Sequence, residues 1–162
     1  MRKILIFSSL FFVFSSSIFC LEIPKYQGWV NDYAGVIDTQ VENQLNVLIT
    51  SLEKQTGAEI AVVTLKSLEG EELDTFTNDL FSKWRIGKKD KDNGVLILFS
   101  LQDRKVRIET GYGIEPIIPD GLAGQIIREL MIPYFKQGGY AQGLALGTYQ
   151  IAQIIAKDAG VT

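Results

Sequence analysis

Apolar positions recur with two different periods along this chain. Val41, Leu45, Leu48, Ile49 and Leu52 are spaced by three and four residues, which predicts an amphipathic helix. Asp38 or Thr39 is placed to cap it, Thr39 with Glu42 fits a capping box, and Gly57 stands where a helix end favours a left-handed residue. Glu59–Leu65 is short and rich in β-branched residues, so it predicts a buried strand. Leu73, Phe76, Leu80 and Trp84 form the stripe of a second helix over 71–84, with Gly87 after its end. Val95–Phe99 is an unbroken apolar run, the pattern of a central strand covered on both faces. Leu101–Arg104 turns the chain into Lys105–Thr110, where Val106 and Ile108 share one face and Arg107 and Glu109 the other.

Leu122, Ile126, Ile127 and Leu130 mark a third helix, with Asp120 as its cap and Pro133 as its stop. Leu144, Thr148, Ile151 and Ile155 stripe a last helix over 140–157. Within it Gly143 and Gly147, one turn apart, allow close approach to a neighbour. Residues 23–37 read as an irregular lead-in, with Asn31–Gly35 as a turn. The order α-β-α-β-β-α-α predicts an α/β protein: a three-layer α/β/α sandwich on a mixed, mostly parallel sheet with one antiparallel hairpin.

The first twenty residues stand apart. Arg2 and Lys3 precede an apolar run, Ile4–Phe14, and the small residues Ser15–Ser17. This is the pattern of a secretory signal peptide over 1–20, leaving one domain over 21–162. The run is too short for a spanning helix, which needs about 20 residues. The protein is therefore expected to be exported, periplasmic or secreted. Lipidation through Cys20 is the less favoured route, because bulky Phe19 precedes it. No second apolar run long enough to span a membrane follows.

Without Arg2 and Lys3 the chain holds 14 basic and 19 acidic residues, a net charge of −5, which argues against nucleic acid as a partner. There is no histidine, and Cys20 is the sole cysteine. Ser-His-Asp and Cys-His catalysis are thereby excluded, as are zinc–histidine sites and internal disulfides. A bound metal must be held by oxygen, which favours Ca²⁺, Mg²⁺ or Mn²⁺.

Oxygen ligands collect at the ends of the central hairpin. Asp90, Asp92 and Asn93 precede the Val95 strand, with Gly94 allowing a sharp bend; they read either as a divalent-cation loop or as a solvated Asn-Gly turn. Glu109, beside Gly111-Tyr112-Gly113, reads as a ligand or general base, or as the ion-pair partner of Arg107. Asp120 reads as an N-cap or a ligand. Asp32 is most simply an Asx-turn residue, and Tyr112 a packed aromatic with its hydroxyl at the surface.

Several segments carry a likeness to a known family. They are Trp29–Gly35, Thr56–Val63, Asp92–Leu98, Asp103–Glu109, Gly111–Glu115 and Pro119-Asp120, and the span runs from about Tyr26 to Ile155. In this order they resemble the TPM domain family, which includes thylakoid-lumen acid phosphatase, photosystem II repair proteins and many exported bacterial proteins. The resemblance implies an α/β/α sandwich and an acidic, calcium-binding site at one end of the sheet. By position it carries over Asp32, Asp92, Asn93, Glu109 and Asp120 as metal-site candidates.

Two functions are expected from these readings. The first is an exported TPM-like domain with an oxygen-ligand Ca²⁺ (or Mg²⁺) site. It would act as a binding, assembly or maintenance factor, with a membrane or envelope protein as partner. The alternative is a metal-assisted acid phosphatase acting on phosphomonoesters, with Asp92, Glu109 and Arg107 as catalytic candidates. There Asp92 and Asn93 would hold the ion, Glu109 or Asp120 would complete its shell or position water, and Arg107 would bind a phosphate oxygen.

Overall fold

The structure, a computed structural model, describes residues 21–161. The expected leader and Cys20 lie outside them. Four strands pair in the order β1 (Val30–Asp32), β2 (Glu59–Leu65), β3 (Gly94–Ser100), β4 (Lys105–Thr110). β1, β2 and β3 are parallel, and β4 returns antiparallel on β3. The helices are α1 (Thr39–Thr56), α2 (Leu73–Trp84), α3 (Asp120–Ile126), the short α4 (Ile132–Phe135) and α5 (Tyr140–Asp158). This is the expected α/β/α sandwich on a mixed sheet.

Strand alternation sorts the core into two layers. Ile60, Val62, Val95, Ile97, Phe99 and Ile108 face α1, α3 and α5, where Leu45, Ile49, Leu144 and Ile151 meet them. Ala61, Val63, Leu96 and Leu98 face α2, where Phe76 and Leu80 cover them. Every residue of β3 is buried, which explains its unbroken apolar run. α1 and α2 connect strands that progress the same way across the sheet, yet they lie on opposite faces. The two crossovers therefore have opposite hands, a departure from the usual right-handed pair.

Among the described residues the α2 face carries a single helix, and the lead-in completes it. Leu21 and Ile23 pack there, Tyr26 meets Trp84 edge-on at 5.1 Å between centroids, and Trp84 Nε1 donates to Pro24 O. The lead-in is thus more ordered than its composition suggests. Val30–Asp32, expected to run into a turn, is instead the edge strand β1. Three residues are too few to show a period of two, so only pairing with β2 reveals it.

At α1 the cap is Asp38, accepting from Gln40 N and Val41 N at 3.0 Å each, and Gly57 closes the helix at φ +77°. Thr39 is the first helical residue, so the expected Thr39–Glu42 capping box does not form. Pro133 does not stop the third helix. The chain passes from α3 through a π-helical turn, Ile127–Met131, into α4, with Pro133 in the first turn of α4. Gly143 and Gly147 do admit neighbours: an added Cβ would stand 2.6 Å from the Phe135 ring and 2.8 Å from Met131 Sδ.

Candidate functional site

Two loops lock together at the amino end of β3. Asp92 N donates to Lys88 O, and Gly113 N donates to Asp92 O at 3.0 Å. Gly111 N donates to Gly94 O at 2.9 Å. The contact leaves no room for side chains: a Cβ on Gly111 would lie 2.1 Å from Asp92 O, and one on Gly113 would lie 1.9 Å from Lys91 O. Asp92 itself is left-handed at φ +44°, a conformation that Asp tolerates better than most residues.

Asn93 is the staple beneath this loop. It is buried, its Oδ1 accepts from Lys88 N, and its Nδ2 donates to Gly57 O, both at 2.9 Å. Lys88 Nζ bridges Glu53 at 2.9 Å and Glu59 at 2.5 Å, and the hydrogen bonds it donates to those carboxylates raise its pKa. Glu59 Oε2 in turn accepts from Gly87 N. Asn93 therefore shapes the loop, with both ends of its amide engaged inside the protein.

Beside these loops opens a cleft of about 420 Å³, bounded by α2, the polar face of β4 and the 111–120 segment. Asp92, Glu109, Glu115 and Asp120 line it with Arg107. Arg107 Nη2 pairs with Glu109 at 2.8 Å, and Nη1 pairs with Asp74 of α2 at 3.0 Å. Burial pulls the Arg107 pKa down, but Glu109, Asp74 and Asp120 outweigh it and the net shift is upward. Glu109 is thus the Arg107 partner and a cleft residue at once. Asp120 begins α3 without capping it; Pro119 holds the cap position and no side-chain cap bond forms. Its charge instead suits the positive end of the helix. Tyr112 is not packed but 82 % exposed at the rim.

Asp32 stands elsewhere. It pairs in register with Thr64, whereas Glu59 pairs with Gly94. Five residues of strand separate the two positions, about 17 Å. Its carboxylate accepts from Gly35 N, Val36 N and Ile37 N at 2.8–3.1 Å and from the Thr64 hydroxyl. This is the Asx-type turn expected from its neighbours, and it holds the exit of β1. Asp32→Ala should cost about 2 kcal/mol in urea unfolding by stranding these N–H groups, with the cleft unaltered.

The structure thus brings together Asp92, Glu109 and Asp120, keeps Asn93 beneath them and leaves Asp32 apart. Sequence reasoning passed over Glu115, and Asn78 and Ser82 of α2, which line the same cleft. The spacing of four between Asn78 and Ser82 puts them on one helix face, but nothing in the sequence says that β4 faces them. The donors suit a hard cation in kind: Asp92 and Glu115 stand on the two interlocked loops, Glu109 on β4 and Asp120 at the start of α3. Among the described residues, however, no three Asp, Glu, His or Cys side chains already converge on one point as a metal shell. No helix of the described residues is long and apolar enough to cross a membrane.

The sequence also matches known proteins. The family model described as the TPM domain matches residues 30–154. No curated protein matches. The solution structure of the N-terminal domain of a P. gingivalis protein is 37% identical, with a TM-score of 0.77 over 82% of this chain and 85% of that one. The BA42 protein of the psychrophilic bacterium Bizionia argentinensis is 26% identical, with a TM-score of 0.64 over 75% of this chain and 82% of that one. The N-terminal domain of a Corynebacterium glutamicum protein shares the fold at 18% identity, with a TM-score of 0.62 over 80% of each chain. On the strength of the match over residues 30–154, this chain belongs to the TPM domain family.

Proposed function

We propose that this is an exported TPM domain whose acidic cleft takes a divalent cation, Ca²⁺ or Mg²⁺. In this reading the loaded domain works as a binding, assembly or maintenance factor on a membrane or envelope protein. One observation carries the reading: carboxylates from separate segments, Asp92, Glu109, Glu115 and Asp120, meet in one cleft whose two loops are interlocked by Gly111 and Gly113. Asp92, Glu115 and Asp120 are the side chains that would hold the ion, with Glu109 joining by exchange from Arg107. A bound ion would neutralise this acidic surface and tie the two loops to the start of α3. The leader pattern and the absence of histidine support export and an oxygen-only shell.

Metal-assisted phosphomonoester hydrolysis is the second reading, favoured by the presence of Arg107 in the same cleft. It ranks second because Nε, Nη1 and Nη2 of Arg107 already serve Glu109 and Asp74, which leaves a phosphate only the second N–H of each Nη and sets it beside two carboxylates. Undetectable phosphatase activity with Ca²⁺ or Mg²⁺ present would remove it.

Thermal unfolding tests the first reading. Ca²⁺ at a hundredfold excess over its Kd should stabilise the protein by about 2.7 kcal/mol. That corresponds to roughly 8 °C in Tm for a domain of this size, reversed by chelator. A Tm indifferent to chelator and to millimolar Ca²⁺ contradicts a cation-binding cleft.

A further inference from the structure

A second concavity lies at the other end of the β3–β4 hairpin. It measures about 450 Å³, within the range of small-molecule pockets. Its floor is aromatic: Phe99 lies 4.7 Å from Phe135 and 5.2 Å from Tyr140 between ring centroids. Phe99 is buried, while Phe135 and Tyr140 are half-exposed. Val106 and Ile132 form aliphatic walls. The charged lining residues are Arg104 and Lys136, both exposed, and no carboxylate joins them. In a chain with net charge −3, two cations over an aromatic floor without an acid is a selective arrangement.

Three further features single this place out. Arg104 is left-handed at φ +53°, at the last position of the hairpin turn, where glycine would be free of strain. Such strain persists where the surroundings hold it, and it collects at ligand sites. Here Asp103 holds the turn, accepting from Leu68 N at 2.7 Å and from the Ser100 hydroxyl. The pocket also lies at the carboxyl end of β3, where open α/β sheets commonly bind ligands. Finally, Tyr140 opens α5, whose amino end carries no side-chain cap and so adds positive potential.

We infer that this pocket binds a small molecule with an aromatic body and one anionic group, carboxylate or phosphoryl. The ring stacks on the half-exposed Phe135 and Tyr140 over the buried Phe99, and the anion meets Arg104 and Lys136. The site is separate from the acidic cleft and does not depend on the cation reading.

Amide NMR of the isotope-labelled protein tests this, with benzoate and phenylphosphonate as probes and phenol and inorganic phosphate as controls. Either anionic probe should give saturable shifts confined to residues 99–106 and 132–143, with a Kd on the order of 1 mM. Phenol and inorganic phosphate should each bind at least about tenfold more weakly, since each offers half of the recognition. Arg104→Gly should weaken binding about tenfold while raising Tm, because it removes the left-handed strain; a merely structural arginine would not couple the two. Lys136→Ala should weaken binding with Tm unchanged. No saturable shift, phenol binding as well as benzoate, or an unchanged Kd in both variants would overturn the inference. Shifts confined to residues 107–120 would also overturn it, by moving the anion to Arg107.

Discussion

Gly113→Ala is expected to lower Tm by roughly 10 °C, the equivalent of about 3 kcal/mol for a domain of this size. The methyl group would sit 1.9 Å from Lys91 O, and the atom in its way is backbone, not a flexible side-chain tip. The Gly113 N–Asp92 O hydrogen bond would be lost as the loops part. Gly111→Ala should behave alike, since its Cβ would lie 2.1 Å from Asp92 O. Gly121→Ala is the control. Its Cβ meets nothing within 4 Å, and alanine in the first turn of α3 should leave Tm unchanged or slightly raised. Circular dichroism melts of the variants separate the two cases. If Gly113→Ala melts with the wild type, the loops are not interlocked and the acidic cleft has no fixed wall.

Asp92 carries the second large effect. Its position requires a residue that accepts φ +44°, and alanine there would confuse lost charge with added strain. Asn tolerates the left-handed region and removes only the charge. Asp92→Asn should therefore keep Tm within about 2 °C of the wild type in chelator. Its Ca²⁺ affinity should fall at least tenfold, about 1.4 kcal/mol. Asp92→Gly should also lose the ion, while gaining about 1 kcal/mol of stability from relief of the backbone. Opposite movement of stability and affinity in one variant distinguishes a ligand position from a structural turn residue.

Much of this molecule is legible before any coordinates. The helical stripes of α1, α2 and α5 and the apolar runs of β2 and β3 are long enough to display their periods, and the sandwich follows from their order. What escaped depends on pairing across the sheet. β1 has three residues, so its strand character and its register on Thr64 come only from β2, and that register sends Asp32 to the far end of the sheet. The π-helical turn before Pro133 escaped because a proline usually marks a helix end. Glu115, Asn78 and Ser82 sit on polar positions of a loop and a helix, and nothing local tells a cleft wall from a solvated face. Conversely, the spacing of Asp90, Asp92 and Asn93 and the family resemblance offer Asn93 as a ligand, whereas its amide spans Lys88 N and Gly57 O.

The central claim is that Asp92 belongs to a cation site formed with Glu109, Glu115 and Asp120. Calorimetric titration of the protein with Ca²⁺, wild type beside Asp92→Asn, tests it most directly. A saturable heat in the wild type that is lost or shifted at least tenfold in Asp92→Asn is the predicted result. No heat in the wild type up to millimolar Ca²⁺, or equal affinity in the two proteins, would contradict it.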